Sequence, residues 1–475
     1  MDLELMQTFF GSLRLPLYRY KDDIVHVHIF LKKRFDCFLK QLNEVLNTQS
    51  DDSDLVKQIR DELSQKIGTT EDLCQIIIAS LAAYRNGEIL EAYRIFEGIM
   101  DKVENEIASC DIKSIETQFF RIRPDKGAER KDLFHIPFNE ITKIKAYRYS
   151  IAGFPCLYMS GNLGRPRDPV NMGLPLAWLE RDTPAKFYWS EFKLADNVES
   201  MKLVDLTWLP FSSAIRRHNF FSRIIKGDNT VKDEIIKFVS TYPLIAACSL
   251  VVMDKSKPFL PEYIIPQMLL LWIHNKSAES GYRGIKYFSC TGYKEARIYD
   301  AFNVVLPAQK NAPLSGHCPQ LKQEFELSEP KFVDVQEIFK SLSPYYDEVL
   351  FYRNDLDEKF RTGKLAITTM EEILSLCSSF INLYEKVRDG EIKNISWVLE
   401  YIETLDLFSR RMINDKYYCL MLEEAKEFTP YNFEENKSLC KEIWEGFKKV
   451  YEFISHFRNF GVKYFYQEID SFESI

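Results

Sequence analysis

Residues 153–159 read Gly153-Phe154-Pro155-Cys156-Leu157-Tyr158-Met159, a short apolar run that enters through glycine and proline. Such punctuation breaks helices, so the run belongs to a turn-rich region of short strands. The runs Leu244–Met253, Gly284–Phe288 and Phe302–Leu306 share the habit, with helices predicted at Val231–Val239 and Tyr263–Ile273. Working outward, 15 of the 19 prolines and 10 of the 18 glycines fall within residues 111–320, which makes this middle segment mixed α/β and leaves helical flanks.

The flanks carry the helical period. Ile89, Ala92, Tyr93, Phe96, Met100, Val103 and Ile107 recur at steps of three and four after the stop Asn86-Gly87. Beyond residue 330, Met370, Ile373, Leu374, Cys377, Ile381, Tyr384 and Val387 form a second stripe, opened by Thr368-Thr369 with Glu371-Glu372 and closed by Asp389-Gly390. A third runs through Leu439, Ile443, Phe447, Val450, Tyr451 and Ile454. The predicted fold class is α+β, with helical domains at 1–112 and 326–475 flanking a central mixed domain at 113–325.

Composition excludes several classes. The 475 residues hold 46% hydrophobic and 28% charged side chains, ordinary for a globular chain that folds alone. A net charge of −8 repels a phosphate backbone on average, so no nucleic-acid partner is expected. The ten cysteines are scattered, with no Cys-x-x-Cys pair, which fits a reducing cytoplasm and offers no structural zinc. The apolar stretch near Tyr263–Ile273 contains Pro266 and Gln267 and is too short for a bilayer, so no membrane partner is expected either. Neither a Gly-x-Gly-x-x-Gly turn nor a P-loop is present.

Five pieces of the middle segment occur in one order: Phe119-Phe120-Arg121-Ile122-Arg123-Pro124, Tyr147-Arg148-Tyr149-Ser150, Gly153–Tyr158, Ala177-Trp178-Leu179-Glu180 and Gly284–Ser289. Together with Phe134-His135-Ile136-Pro137 and Phe302–Pro307 they resemble the RES domain, named for its Arg, Glu and Ser. The resemblance covers about residues 115–310. It implies a fold similar to the ADP-ribosyltransferase toxins and cleavage of the nicotinamide–ribose bond of NAD+, with water or phosphate as acceptor, or transfer of ADP-ribose to a protein. Many members are toxins of toxin–antitoxin pairs, larger ones fit antiphage defence, and some carry an N-terminal helical extension described as HEPN-like.

The chemistry has a use for these residues. Charge builds on the ribose as the bond breaks, and a carboxylate beside it stabilises that charge; on the resemblance this is Glu180. Arg121 and Arg148 suit the diphosphate because a planar guanidinium binds it in a fork, with Arg123 two residues on pointing the same way along a strand. Tyr158 offers a ring to a cationic heterocycle, and Ser289 and Asn303 offer hydrogen bonds to the nicotinamide amide or ribose. Ser289 has no accompanying histidine and acid, so it binds and does not attack. NAD+ is then substrate, no other cofactor is needed, and the partners implied are an antitoxin or regulatory protein and a second copy of the chain.

The 22 positions from Tyr158 to Glu180 exceed the family's usual spacing, and Ser160–Pro169 reads as loop, a candidate lid that could present Arg165 or Arg167. A non-catalytic nucleotide-binding module is the competing reading that this insertion keeps open. His26 and His28 lack companion ligands for a metal, His135 fits turn packing against Pro137 as well as a place near the site, and Arg216, Arg217, His218, Arg223 and Lys226 read as a solvated helix face.

Overall fold

Asn86 and Gly87 end the helix Asp54–Arg85 and turn the chain back into the helix Ile89–Val103. Gly87 takes φ +87°, where a side chain is strained, and its N–H donates to the Tyr84 carbonyl at 3.0 Å. The predicted stripe is the buried one: Ala92, Phe96, Met100 and Val103 face inward, and Ile89 stays exposed at the helix start. In this computed structural model the described residues are 3–13, 15–19, 26–48, 54–115, 118–124, 127–162, 173–181, 186–198, 200–207, 214–252, 254, 257–290, 301–308, 315–334, 343–361, 367–389, 405–406, 408–428, 433–465 and 473–474.

These two helices, with Leu3–Ser12 and Val27–Asn47, pack on the helices Thr230–Cys248 and Ile264–Ser280 in one apolar cluster. The rings of Phe38 and Tyr242 lie 4.5 Å apart across that join. Each buried Leu, Ile or Phe there contributes about 1.5–3 kcal/mol of transfer free energy. The N-terminal helices therefore share a core with the middle segment.

The middle segment supplies most of a ten-stranded sheet. In chain order the strands are β1 (Ser109–Asp111), β2 (Phe119–Arg123), β3 (Cys156–Asn162), β4 (Lys186–Leu194), β5 (Lys202–Leu206), β6 (Tyr282–Tyr287), β7 (Ala301–Pro307), β8 (Phe325–Leu327), β9 (Lys331–Asp334) and β10 (Glu473–Ser474). Their order across the sheet is β1-β5-β6-β7-β3-β2-β4-β8-β10, with β9 also paired to β4. Neighbours run antiparallel except β5 and β6, which are joined through three helices. That is the crossover a parallel pair requires. The result is the predicted α+β class, a mixed sheet with helical flanks.

Alternation along the strands sorts the side chains into two faces. One face holds Phe119, Leu157, Met159, Phe192, Phe302, Val304 and Leu306, packed with Phe134, Leu321 and Phe325. The other is covered twice. Over β5, β6 and β7 the first helical cluster buries Val204, Leu206, Ile285 and Val305. Over β2 and β4 a second cluster buries Phe120, Ile122, Phe187 and Trp189 against the helix Gly173–Leu179 and the C-terminal helices Ser343–Arg361, Thr368–Arg388, Asp415–Phe428 and Phe433–Phe465.

Two expectations need correction. The apolar run Leu244–Met253 is not a strand: the predicted helix at Val231–Val239 continues through Pro243 to Cys248, and only Leu250 forms an isolated bridge. Residues 238–248 of this helix are all buried, so its second half shows no polar face from which its period could be read. Ser160, Gly161 and Asn162, read as loop, extend β3 and pair with Asn303, Phe302 and Ala301. Arg165 and Arg167 lie outside the described residues.

The start of the helix Thr368–Arg388 is satisfied from across the bundle. The N–H and hydroxyl of Thr369 both donate to Glu424, at 2.8 and 2.9 Å, while the Tyr417 hydroxyl donates to Glu372 at 2.7 Å. Helical caps and bundle packing are thus one network.

Candidate functional site

Between the two helical covers, the middle of the same face presents polar side chains where the flanking positions are apolar. Register sets Ser160 of β3 opposite Asn303 of β7, and Asn303 opposite Tyr287 of β6. The Ser160 hydroxyl donates to the Asn303 side-chain oxygen at 2.6 Å, which leaves the Asn303 amide N–H groups aimed outward. One of them donates to the Glu180 carboxylate at 2.9 Å. Ser160 and Asn303 are buried, and Glu180 is half-buried.

Glu180 reaches this point because of the short helix before it. The helix Gly173–Leu179 crosses β2, β3 and β7, and the Glu180 N–H closes its end by donating to the Leu176 carbonyl at 3.0 Å. The approach is close: a Cβ on Gly173 would lie 2.5 Å from the Ser160 carbonyl oxygen and 2.8 Å from the Phe120 ring. Only glycine allows that seat.

The Tyr147–Ser150 turn forms another wall. Tyr147 and Ser150 bond each other through their backbones at 2.9 and 3.2 Å, and the Gln267 side-chain amide donates to both carbonyls. Within the turn Tyr149 packs its ring 4.3 Å from that of Tyr287, and its carbonyl accepts from the Tyr158 hydroxyl. Arg148 donates to the carbonyls of Cys248 at 2.8 Å and Leu250 at 2.6 Å, with its guanidinium 5.3 Å from the centre of the Tyr263 ring. It therefore caps the C-terminus of the helix Thr230–Cys248, where a cation meets the negative end of the helix dipole.

Arg121 takes a different position. Alternation sets it with Phe119, and its guanidinium donates to the Tyr158 carbonyl at 2.8 Å. β2 and β3 pair at one register position among the described residues, Phe120 with Ser160, so the strands part where Arg121 enters. Burial pulls its pKa well below the ordinary arginine value, with Arg123 and Arg181 adding repulsion, and its Nε is buried without a hydrogen-bond partner. Arg123 donates to the Phe134 carbonyl at 3.4 Å. Ser289 is fully buried just past β6.

The structure thus brings Glu180, Asn303, Tyr158 and Arg148 to one region, puts Ser289 at the end of the adjoining strand, and sets Arg121 and Arg123 into the sheet beside it. Sequence reasoning passed over Ser160, Tyr263, Tyr287 and Cys290. Burial pushes Tyr287 well above its ordinary pKa and raises that of Cys290, and the Glu180 charge adds to both shifts. Of these four, Ser160 left a signal in its two-residue step from Tyr158, which puts both on one strand face.

The residues set aside resolve as structure. The Cys318 N–H donates to His135 Nε2 at 2.7 Å, and Nδ1 pairs with the Ile136 carbonyl at 2.7 Å, so the imidazole is neutral. Burial lowers its pKa to about 3. Arg223 bonds Asp228, Glu234 and Thr230 and ties two helices together; the side chains of Arg216, Arg217 and His218 lie outside the described residues. The rings of His26 and His28 stack 5.7 Å apart. No described helix is long and apolar enough to cross a membrane.

No family model matches the chain, and no solved structure matches it. The curated relative it matches spans more than the match does: 64% of that protein is covered. The chain is similar, at 30% identity over 320 aligned positions and 63% of its own length, to the Bacillus subtilis (strain 168) protein described as "Putative toxin YopC".

Proposed function

We propose that the protein is a toxin that consumes NAD+ by breaking the nicotinamide–ribose bond. The observation that carries this reading is the chain Ser160 to Asn303 to Glu180, which fixes a half-buried carboxylate close enough to Tyr287 to act on its ionisation. Asn303 holds Glu180 in one orientation, so its charge faces a ribose cation without reorganising, an effect of about 3–4 kcal/mol per preorganised group. Tyr158 and Tyr287 form the apolar wall for the departing ring. Arg148 keeps N–H donors beyond the two spent on carbonyls, and these meet the diphosphate. The toxin name of the relative supports the cellular role, and an antitoxin is the partner such a role calls for.

The test is nicotinamide release from NAD+ by the full chain. Glu180→Gln is expected to lower release at least about 100-fold with an unchanged thermal midpoint. Equal release by both proteins, or none by either, overturns the reading. Mass shifts on cellular proteins distinguish transfer of ADP-ribose from hydrolysis or phosphorolysis.

One observation favours a non-catalytic interaction module instead. Arg121 and Arg148 both already serve backbone carbonyls, as structural arginines do. Absence of NAD+ binding in calorimetry would select that reading, and binding without turnover would select a nucleotide-binding module.

A further inference from the structure

The support under Arg148 has a second owner. Its two acceptor carbonyls belong to Cys248 and Leu250, in the turn that leaves the helix Thr230–Cys248. The segment 15–19 runs beside that turn as a parallel bridge between Leu17 and Leu250. The Leu17 N–H donates to the Ser249 carbonyl at 3.2 Å, and the Val251 N–H donates to the Leu17 carbonyl at 2.9 Å, so the turn is gripped on both sides of Leu250. Two residues on, Arg19 pairs with the buried carboxylate of Glu262. Glu262 precedes Tyr263, the ring beneath the Arg148 guanidinium. Leu15 and Leu17 are themselves buried in the first helical cluster, which seats the segment.

We propose that residues 15–19 act as a strap that positions Arg148, with Leu17 fixing its carbonyl acceptors and Arg19 fixing its aromatic platform through Glu262. Leu17, Arg19 and Glu262 are positioning residues. The strap lies more than a hundred residues before the arginine it serves. Its consequence for ligand binding rests on the NAD+ reading, and its mechanical part does not.

The double variant Arg19→Met with Glu262→Met removes the ion pair without stranding a buried charge. Leu17→Pro removes the N–H that the Ser249 carbonyl accepts. Hydrogen exchange on the full chain is expected to rise about tenfold in peptides spanning 145–151 and 249–251 in both variants, and to stay unchanged in the helix Ile89–Val103. In turnover of NAD+, the double variant raises KM about tenfold with kcat within twofold. Combined with Arg148→Lys, it adds less than the product of the separate effects.

Unchanged exchange at 145–151 overturns the strap whatever the ligand. So does full additivity with Arg148→Lys. Raised exchange at 145–151 in a chain whose wild type turns over no NAD+ supports the strap and removes the NAD+ reading. Should the double variant not fold, Arg19→Lys keeps the charge and loses the fork, and gives the same pattern at smaller amplitude.

Discussion

At the scale of single residues, Asn303 has the strongest constraint, since it accepts from Ser160 and donates to Glu180 at once. Asn303→Asp keeps the shape and replaces the donated N–H with a second carboxylate. The second carboxylate repels Glu180 where the amide held it, so on the NAD+ reading nicotinamide release is expected to fall about 100-fold, read as initial rates. Asn303→Leu strands the Ser160 hydroxyl in a buried site and is expected to cost about 1–3 kcal/mol in denaturant melts. Glu180, Tyr158, Arg148 and Asn303 were all legible in the sequence through their motifs. Ser160 was passed over despite its two-residue step from Tyr158, because its neighbours Gly161 and Asn162 are turn-formers by composition and strand residues only by pairing with β7. Arg121 was legible as a residue and not as a contact. Nothing in a linear string shows that β2 and β3 part beside it.

At the scale of elements, the helix Gly173–Leu179 decides where the carboxylate stands. Gly173→Ala forces a Cβ to within 2.5 Å of the Ser160 carbonyl, which must lift the helix from the sheet. Its expected cost is about 1–3 kcal/mol of stability, and on the NAD+ reading a larger proportional loss of nicotinamide release, because Glu180 leaves Asn303. Helices with one wet face, such as Ile89–Val103, were read correctly from period. The helix Thr230–Cys248 was half missed, since burial on all sides erases the period that identifies a helix. Tertiary packing, not propensity, kept Pro243 inside it.

At the scale of the whole molecule, the two helical covers complete the sheet and are not appendages to it. Removing residues 343–475 uncovers Ile122, Phe187 and Trp189, so that truncated chain is expected to lack a cooperative thermal transition in calorimetry. Stability also has a pH signature through His135. Its folded pKa of about 3 lies below the ordinary 6.5, so the folded state binds fewer protons, and the contribution is full above about pH 7 and shrinks as pH falls toward 3. Urea melts at pH 7 and pH 5 are expected to differ by about 2 kcal/mol from this group alone, and His135→Gln removes that part of the slope.

The bridge between Leu17 and Leu250 joins points far apart along the chain, as do the pairs of β3 with β7 and the apolar cluster that gathers side chains of the final long helix with those of β2 and β4. A ribosome making this protein has released the carboxylate at 180 long before the asparagine at 303 exists to hold it, and the last helix later still. Synthesis thus carries its own interval during which a newborn chain has every early ingredient and no assembled centre. A partner that engaged early segments would have that interval in which to act before Asn303 takes hold of Glu180.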